Sequence, residues 1–171
     1  EPITSKRTDQ TTRPRLSIAP ALAEIFNEEA GAHVATLQRE FSLLEADLTA
    51  PTTHEMYRAA HTLAGIAGTV GISTIKYLGH AFELALVRRN HSAHPGSLEA
   101  LETVRQTIAA LALMLADVAG QNEPAAAPSL LDALATIYPE AIVEAAPAPT
   151  DEQGTVATEK LGTATVADRT I

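Results

Sequence analysis

The stretch that decides the fold is residues 97–120, SLEALETVRQTIAALALMLADVAG. Leu101, Val104, Ile108, Leu111, Leu115 and Val118 recur at alternating steps of three and four. That spacing lines apolar side chains along one stripe of an α-helix, the seam of a bundle. Ser97 is placed to cap the helix, Glu99 sits in the first turn where the helix dipole favours an anion, and Gly120 ends it. One stripe needs others to cover it, and residues 16–120 supply three more. Leu22, Ile25, Phe26, Ala30, Leu37, Phe41, Leu44 and Leu48 predict a helix over about 18–48, with Pro20 tolerated in its first turn and Pro51 beyond its end. A second helix is predicted over about 52–70, with Thr52 or Thr53 as N-cap and Gly71 as a left-handed C-cap. A third is predicted over about 73–90, with Ser73 as N-cap and Arg88 and Arg89 in the last turn. No run alternates Val, Ile and Thr between hairpin turns. Four amphipathic helices with short connections imply an all-α, antiparallel four-helix up-and-down bundle over 16–120.

The flanks have a different composition. Residues 1–15 are polar and carry Lys6, Arg7, Arg13 and Arg15, so they are expected to be a disordered N-terminal linker. Residues 121–171 hold eight acidic and two basic groups, five of the ten prolines, and one aromatic ring, Tyr138. They are expected to form an acidic, Pro/Ala/Thr-rich linker and a disordered C-terminal tail, with one short apolar piece at 129–138 that has the pattern of a helix. A helix of that length is marginal unless docked. The chain starts at Glu1 and is expected to be a piece of a longer protein.

Several classes of function are disfavoured by the same arithmetic. With no Cys among 171 residues there is no disulfide, thiolate metal site or cysteine nucleophile. A net charge of −9 disfavours nucleic acid as a partner, because phosphate contacts need clustered Lys and Arg. No apolar run is long enough to span a membrane, and the first residues lack the apolar core of a secretory signal. A cytoplasmic location is the expectation. His80 and Glu83 give a single His-x-x-Glu with no second copy, so no metal site is expected.

The second helix contains the residues that carry chemistry. It reads RAAHTLAGIAGTVG over 58–71. An interior helical glycine costs roughly 1 kcal/mol relative to Ala, and here there are two. His61, Gly65 and Gly68 stand at i, i+4 and i+7, on one face, with Ala64 bordering it. Met56, Ala60, Leu63, Ala67 and Val70 make the opposite, core-directed face. One histidine therefore stands beside a strip without side chains, where a large partner can approach closely. Imidazole is mostly neutral near pH 7 and can itself be a nucleophile. A carboxylate on one ring nitrogen fixes the tautomer and favours attack by the other. Residue 61 lies about eleven positions before the turn near Gly71, and residue 83 about eleven after it, so Glu83 is the candidate carboxylate, with His80 on its face.

The run AHTLAGIAGTVG over 60–71, continued by LGHAFE over 78–83, resembles the histidine phosphotransfer (HPt) motif. The likeness is to HPt domains of chemotaxis-type histidine kinases and of related kinases controlling type IV pili, and it covers about 18–118. It implies a bundle whose His61 accepts a phosphoryl group, with Glu83 bonded to the imidazole, His80 in the same polar network, and Gly65 and Gly68 permitting docking. It implies as partners the receiver domains of response regulators and a histidine kinase catalytic domain, expected in the same full-length protein. Such a module binds no cofactor of its own, and Mg²⁺ and ATP are expected on the partner domains. These residues hold no Gly-rich phosphate loop, so they contain no ATP-binding catalytic domain. One position departs from the family pattern. The Lys usual three residues after the histidine is Ala64 here, and Arg58, three residues before it, is the nearest candidate cation. That departure supports an alternative reading, a degenerate bundle serving as a docking or spacer domain in a multidomain sensor kinase.

Overall fold

Residues 13–139 are those the computed structural model describes, and five helices form among them. They are α1 (Pro20–Ala46), α2 (His54–Val70), α3 (Ser73–His91), α4 (Leu98–Ala119) and α5 (Pro128–Thr136). There is no strand among the described residues, only an isolated bridge between Arg15 and Asn122. The expectations for 1–12 and 140–171, including the disordered tail, lie outside the described residues.

The first four helices form the all-α bundle that the apolar stripes imply. α1 packs on α2 and α4, α2 on α3, and α3 on α4, which closes the ring. Phe26, Leu37, Leu44, Leu63, Leu78, Phe82, Leu86, Val104 and Leu111 fill its centre. Each such large apolar side chain contributes roughly 1.5–3 kcal/mol of burial. α2 begins where Thr53 Oγ1 accepts the Met56 amide at 3.1 Å, and the same hydroxyl donates to the buried Glu40 at 2.7 Å. It ends at Gly71, whose φ of 85° is the left-handed conformation that glycine adopts without strain. The Ile72 amide then bonds back to Ala67 O at 2.9 Å. That closure uses both linking residues, so the N-cap of α3 is Ile72 and not Ser73, which becomes the first helical residue. Ile72 offers no side-chain oxygen, and is buried in the core. Ser97 caps α4 as expected, accepting from the Ala100 amide.

Two features go beyond the stripes. Arg89 is turned inward and is buried, and it donates to Leu48 O at 3.0 Å and to Ala50 O at 2.6 Å. It therefore ties the α1–α2 connection to the end of α3. The second feature corrects the boundary at 120. Residues 128–136 form α5, which lies against α3 and α4 where those two helices touch least. Leu134 and Tyr138 are fully buried, Arg88 donates to Leu134 O, and the Tyr138 ring lies 6.0 Å from the Arg89 guanidinium. The prolines misled here: Pro128 starts the helix rather than breaking one. The apolar side chains of this segment dock on the bundle, so its stability comes from packing.

Candidate functional site

α2 and α3 make the most extensive helix pair of the bundle, and the reason is a close crossing. A Cβ placed on Gly79 would sit 3.2 Å from the Ala64 Cβ and 3.4 Å from the Ala64 backbone. Small residues on both helices let the backbones approach, and the approach brings Glu83 up to His61.

His61 Nδ1 lies 2.9 Å from Glu83 Oε1. A carboxylate can only accept, so Nδ1 carries the hydrogen and, in the neutral ring, Nε2 keeps its lone pair. The imidazole side chain is 65% exposed while that of Glu83 is 11% exposed. The imidazole is thus open to solvent and the carboxylate it meets is sheltered. His80 Nδ1 reaches the other carboxylate oxygen, Oε2, at 3.3 Å. The Tyr57 hydroxyl donates to Oε1 at 3.1 Å. Burial alone would raise the Glu83 pKa, but the hydrogen bonds from His61, His80 and Tyr57, with the His61 charge, outweigh it and hold the carboxyl below the usual glutamate range. The same bond keeps the Tyr57 phenol protonated to higher pH than usual, because Glu83 accepts its hydrogen and repels the phenolate.

The helical wheel sorts the other candidates. At about 100° per residue, Tyr57, Ala64 and Gly68 lie on the α3 side of His61, and Arg58 and Gly65 on the α1 side. Ala64 is accordingly buried against Gly79, and does not border an open strip as expected from its spacing. Arg58 turns to the groove between α1 and α2, beside His33 and Thr36, with Glu55 3.8 Å away as its ion-pair partner. Gly68 accommodates a side chain from α3, since a Cβ there would meet Lys76 Cδ at 3.3 Å. Gly65 has no such internal reason. A Cβ at that position meets nothing within 4 Å, and the residue is exposed. An interior glycine costs helix stability, and no neighbour among the described residues requires this one.

His61, Glu83 and His80 are therefore brought together as the spacing predicts, while Ala64 and Arg58 are drawn to either side. Sequence reasoning missed Tyr57 and Lys76. Tyr57 stands four residues before His61, which was a signal, but an aromatic at that spacing also fits a core. Lys76 was legible only through the register that pairs it with Gly68. Among the described residues no group of three or more His, Asp or Glu side chains could hold a metal ion. No helix among them is long and apolar enough to cross a membrane.

Residues 21–140 match the family model described as Hpt domain. Chemotaxis protein CheA of Listeria monocytogenes is 30% identical over 124 residues, covering 70% of this chain and 20% of that protein. Chemotaxis protein CheA of Bacillus subtilis is 36% identical over 64 residues, covering 37% of this chain and 10% of that protein. The chain spans a fifth or less of the length of these curated relatives. No solved structure matches it.

Proposed function

The chain belongs to the Hpt domain family, and from that premise we propose that it is the histidine phosphotransfer module of a two-component phosphorelay with His61 as phospho-acceptor. The observation that carries this reading is the 2.9 Å contact of His61 Nδ1 with Glu83 beneath an exposed ring. In the neutral ring that contact places the hydrogen on Nδ1, and the Nε2 lone pair has no partner within the network described.

The proposed step is an in-line displacement. The Nε2 lone pair forms the N–P bond as the phosphorus–oxygen bond to the leaving group breaks. The donor is ATP on a kinase domain, whose ADP oxygen departs, or an aspartyl phosphate on a receiver, whose carboxylate departs. The hydrogen stays on Nδ1, and Glu83 offsets the positive charge that develops on the ring. In the onward step a receiver aspartate oxygen attacks phosphorus and the N–P bond breaks. Mg²⁺ and ATP belong to the partner domains, the kinase domain being in the same full-length polypeptide, and the relay operates in the cytoplasm. Gly65 supports a macromolecular partner, since its open surface is left for something outside the chain.

A second reading has its own observation. Ala64 replaces the family's usual cation and is packed against Gly79, which fits a bundle retained as a docking or spacer domain. Incubation with the kinase core or a phosphorylated receiver separates the two. The phosphotransfer reading expects an acid-labile, base-stable label at His61. A folded bundle that takes no label supports the spacer.

A further inference from the structure

Tyr57 stands outside every role given so far, yet it touches both halves of the central pair. Its hydroxyl donates to Glu83 Oε1, the same oxygen that accepts from His61 Nδ1. Its ring stacks beside the imidazole, with centroids 6.1 Å apart and planes within 16°. We infer that Tyr57 is a positioning residue for His61, holding both the carboxylate and the imidazole in the attacking geometry. The inference rests on the phosphotransfer reading for its effect on rate, but not for its effect on the ring.

Two torsions need fixing for Nε2 to be the attacking atom. The first is the terminal torsion of Glu83, which joins sp³ to sp² carbon and is soft. A carboxylate held only by His61 can rotate and withdraw Oε1. Here Oε1 has a second donor in Tyr57, and Oε2 has one in His80 at 3.3 Å. Three donors on two oxygens define the rotation. The second torsion is the flip of the imidazole, which would turn Nδ1 away from Glu83 and lose the tautomer bias. A near-parallel neighbouring ring at 6.1 Å lies within the range of aromatic pairing and narrows that freedom. Tyr57 sits one helical turn before His61, so the backbone of α2 delivers both groups to the same oxygen.

A packing role alone makes a different prediction. Tyr57 is only half-buried, and its polar end points at a carboxylate rather than into the core. If the ring were there only to cover apolar surface, Phe would serve as well. If the hydroxyl positions Glu83, Tyr57→Phe has a cost that depends on Glu83 being present.

The test is a double-mutant cycle with two readouts. Wild type, Tyr57→Phe, Glu83→Ala and the double variant are compared for the His61 tautomer by nitrogen-15 NMR and for single-turnover phosphorylation by the kinase core. Tyr57→Phe is expected to lower the Nδ1–H tautomer fraction and slow phosphorylation about fivefold, the scale of one ordinary hydrogen bond. Half-saturation by the kinase core should not move. In the Glu83→Ala background the same change should do nothing further to either readout. The inference is overturned if Tyr57→Phe leaves the tautomer and rate as in wild type. It is equally overturned if its effect persists without Glu83, or if only half-saturation shifts. Wild type that takes no label defeats the phosphotransfer reading, and the tautomer arm still decides whether Tyr57 acts on His61 through Glu83.

Discussion

Glu83 and Arg89 lie six residues apart on α3, are both buried, and carry opposite charges. A buried charge is costly unless it is paired and hydrogen-bonded, and the two are held by different kinds of partner. Arg89 is held by the backbone carbonyls of Leu48 and Ala50, with Tyr138 against it. Glu83 is held by side chains, two of which, His61 and His80, are more than half exposed. Carbonyls of a loop cannot exchange their role, so the guanidinium fastens the fold. An exposed imidazole can change its charge or accept a new bond, so the carboxylate can act on whatever the imidazole does.

The sharpest way to break that contrast is at the proposed phospho-acceptor. His61→Gln should lose all acid-labile label while unfolding in urea close to wild type, because little of the ring is buried. Arg89→Met comes next and should act in the opposite sense. Leaving the Leu48 and Ala50 carbonyls unpaired costs roughly 1–3 kcal/mol for each group, so urea unfolding should shift to markedly lower denaturant. Phosphorylation per folded molecule should be unchanged. If Arg89→Met is as stable as wild type, the division between a fastening charge and a working charge fails. Glu83→Gln should slow phosphorylation about 10–100-fold, the scale known for carboxylates behind metal-bound histidines, with a smaller effect on unfolding than Arg89→Met.

Acid sharpens the contrast further. The Glu83 carboxyl is held below its usual range, so its contribution to stability is present above the ordinary glutamate range and is lost as pH falls through the lower, folded-state value. Denaturation of wild type and Glu83→Gln at neutral and strongly acid pH should show the wild-type advantage shrinking in acid. A guanidinium does not titrate in the acid range, so the deficit of Arg89→Met should not shrink this way. The smallest effect is expected at Gly65. Since a Cβ there meets nothing within 4 Å, Gly65→Ala should raise stability by about 0.5–1 kcal/mol. It should also weaken capture of the receiver, measured by titration calorimetry. A stabilised variant that docks as well as wild type would remove the case for close approach at that strip.

The bundle was legible because helical periodicity is a strong signal, and Leu101 to Val118 kept it without interruption. The His61–Glu83 pair was legible because a tight hairpin fixes the register of two helices. Ala64 borders no open strip, and Arg58 faces the α1 side, for a simple angular reason. Each lies about 60° from His61 on the helical wheel, on opposite sides, and spacing alone does not tell which side faces α3. Tyr57 was hidden because an aromatic on an amphipathic helix reads as core. The short helix at 129–138 was legible but its docking was not, because its few apolar residues stand among prolines, although Tyr138, the lone ring beyond residue 120, was a sign that something there is buried.

The return of the chain along α5 has a mechanical consequence. Where the four long helices begin and end, the chain lies side by side: Leu16 N bonds Gln121 O at 3.0 Å and Glu123 N bonds Pro14 O at 2.8 Å. By Tyr138 it has travelled to the opposite end, beside Ser92, His94 and Ser97 in the α3–α4 connection. Tension between residues 13 and 139 is therefore directed lengthwise through the domain rather than across one end. Such a pull runs along the course of residues 123–138, so the buried Leu134 and Tyr138 side chains share its load.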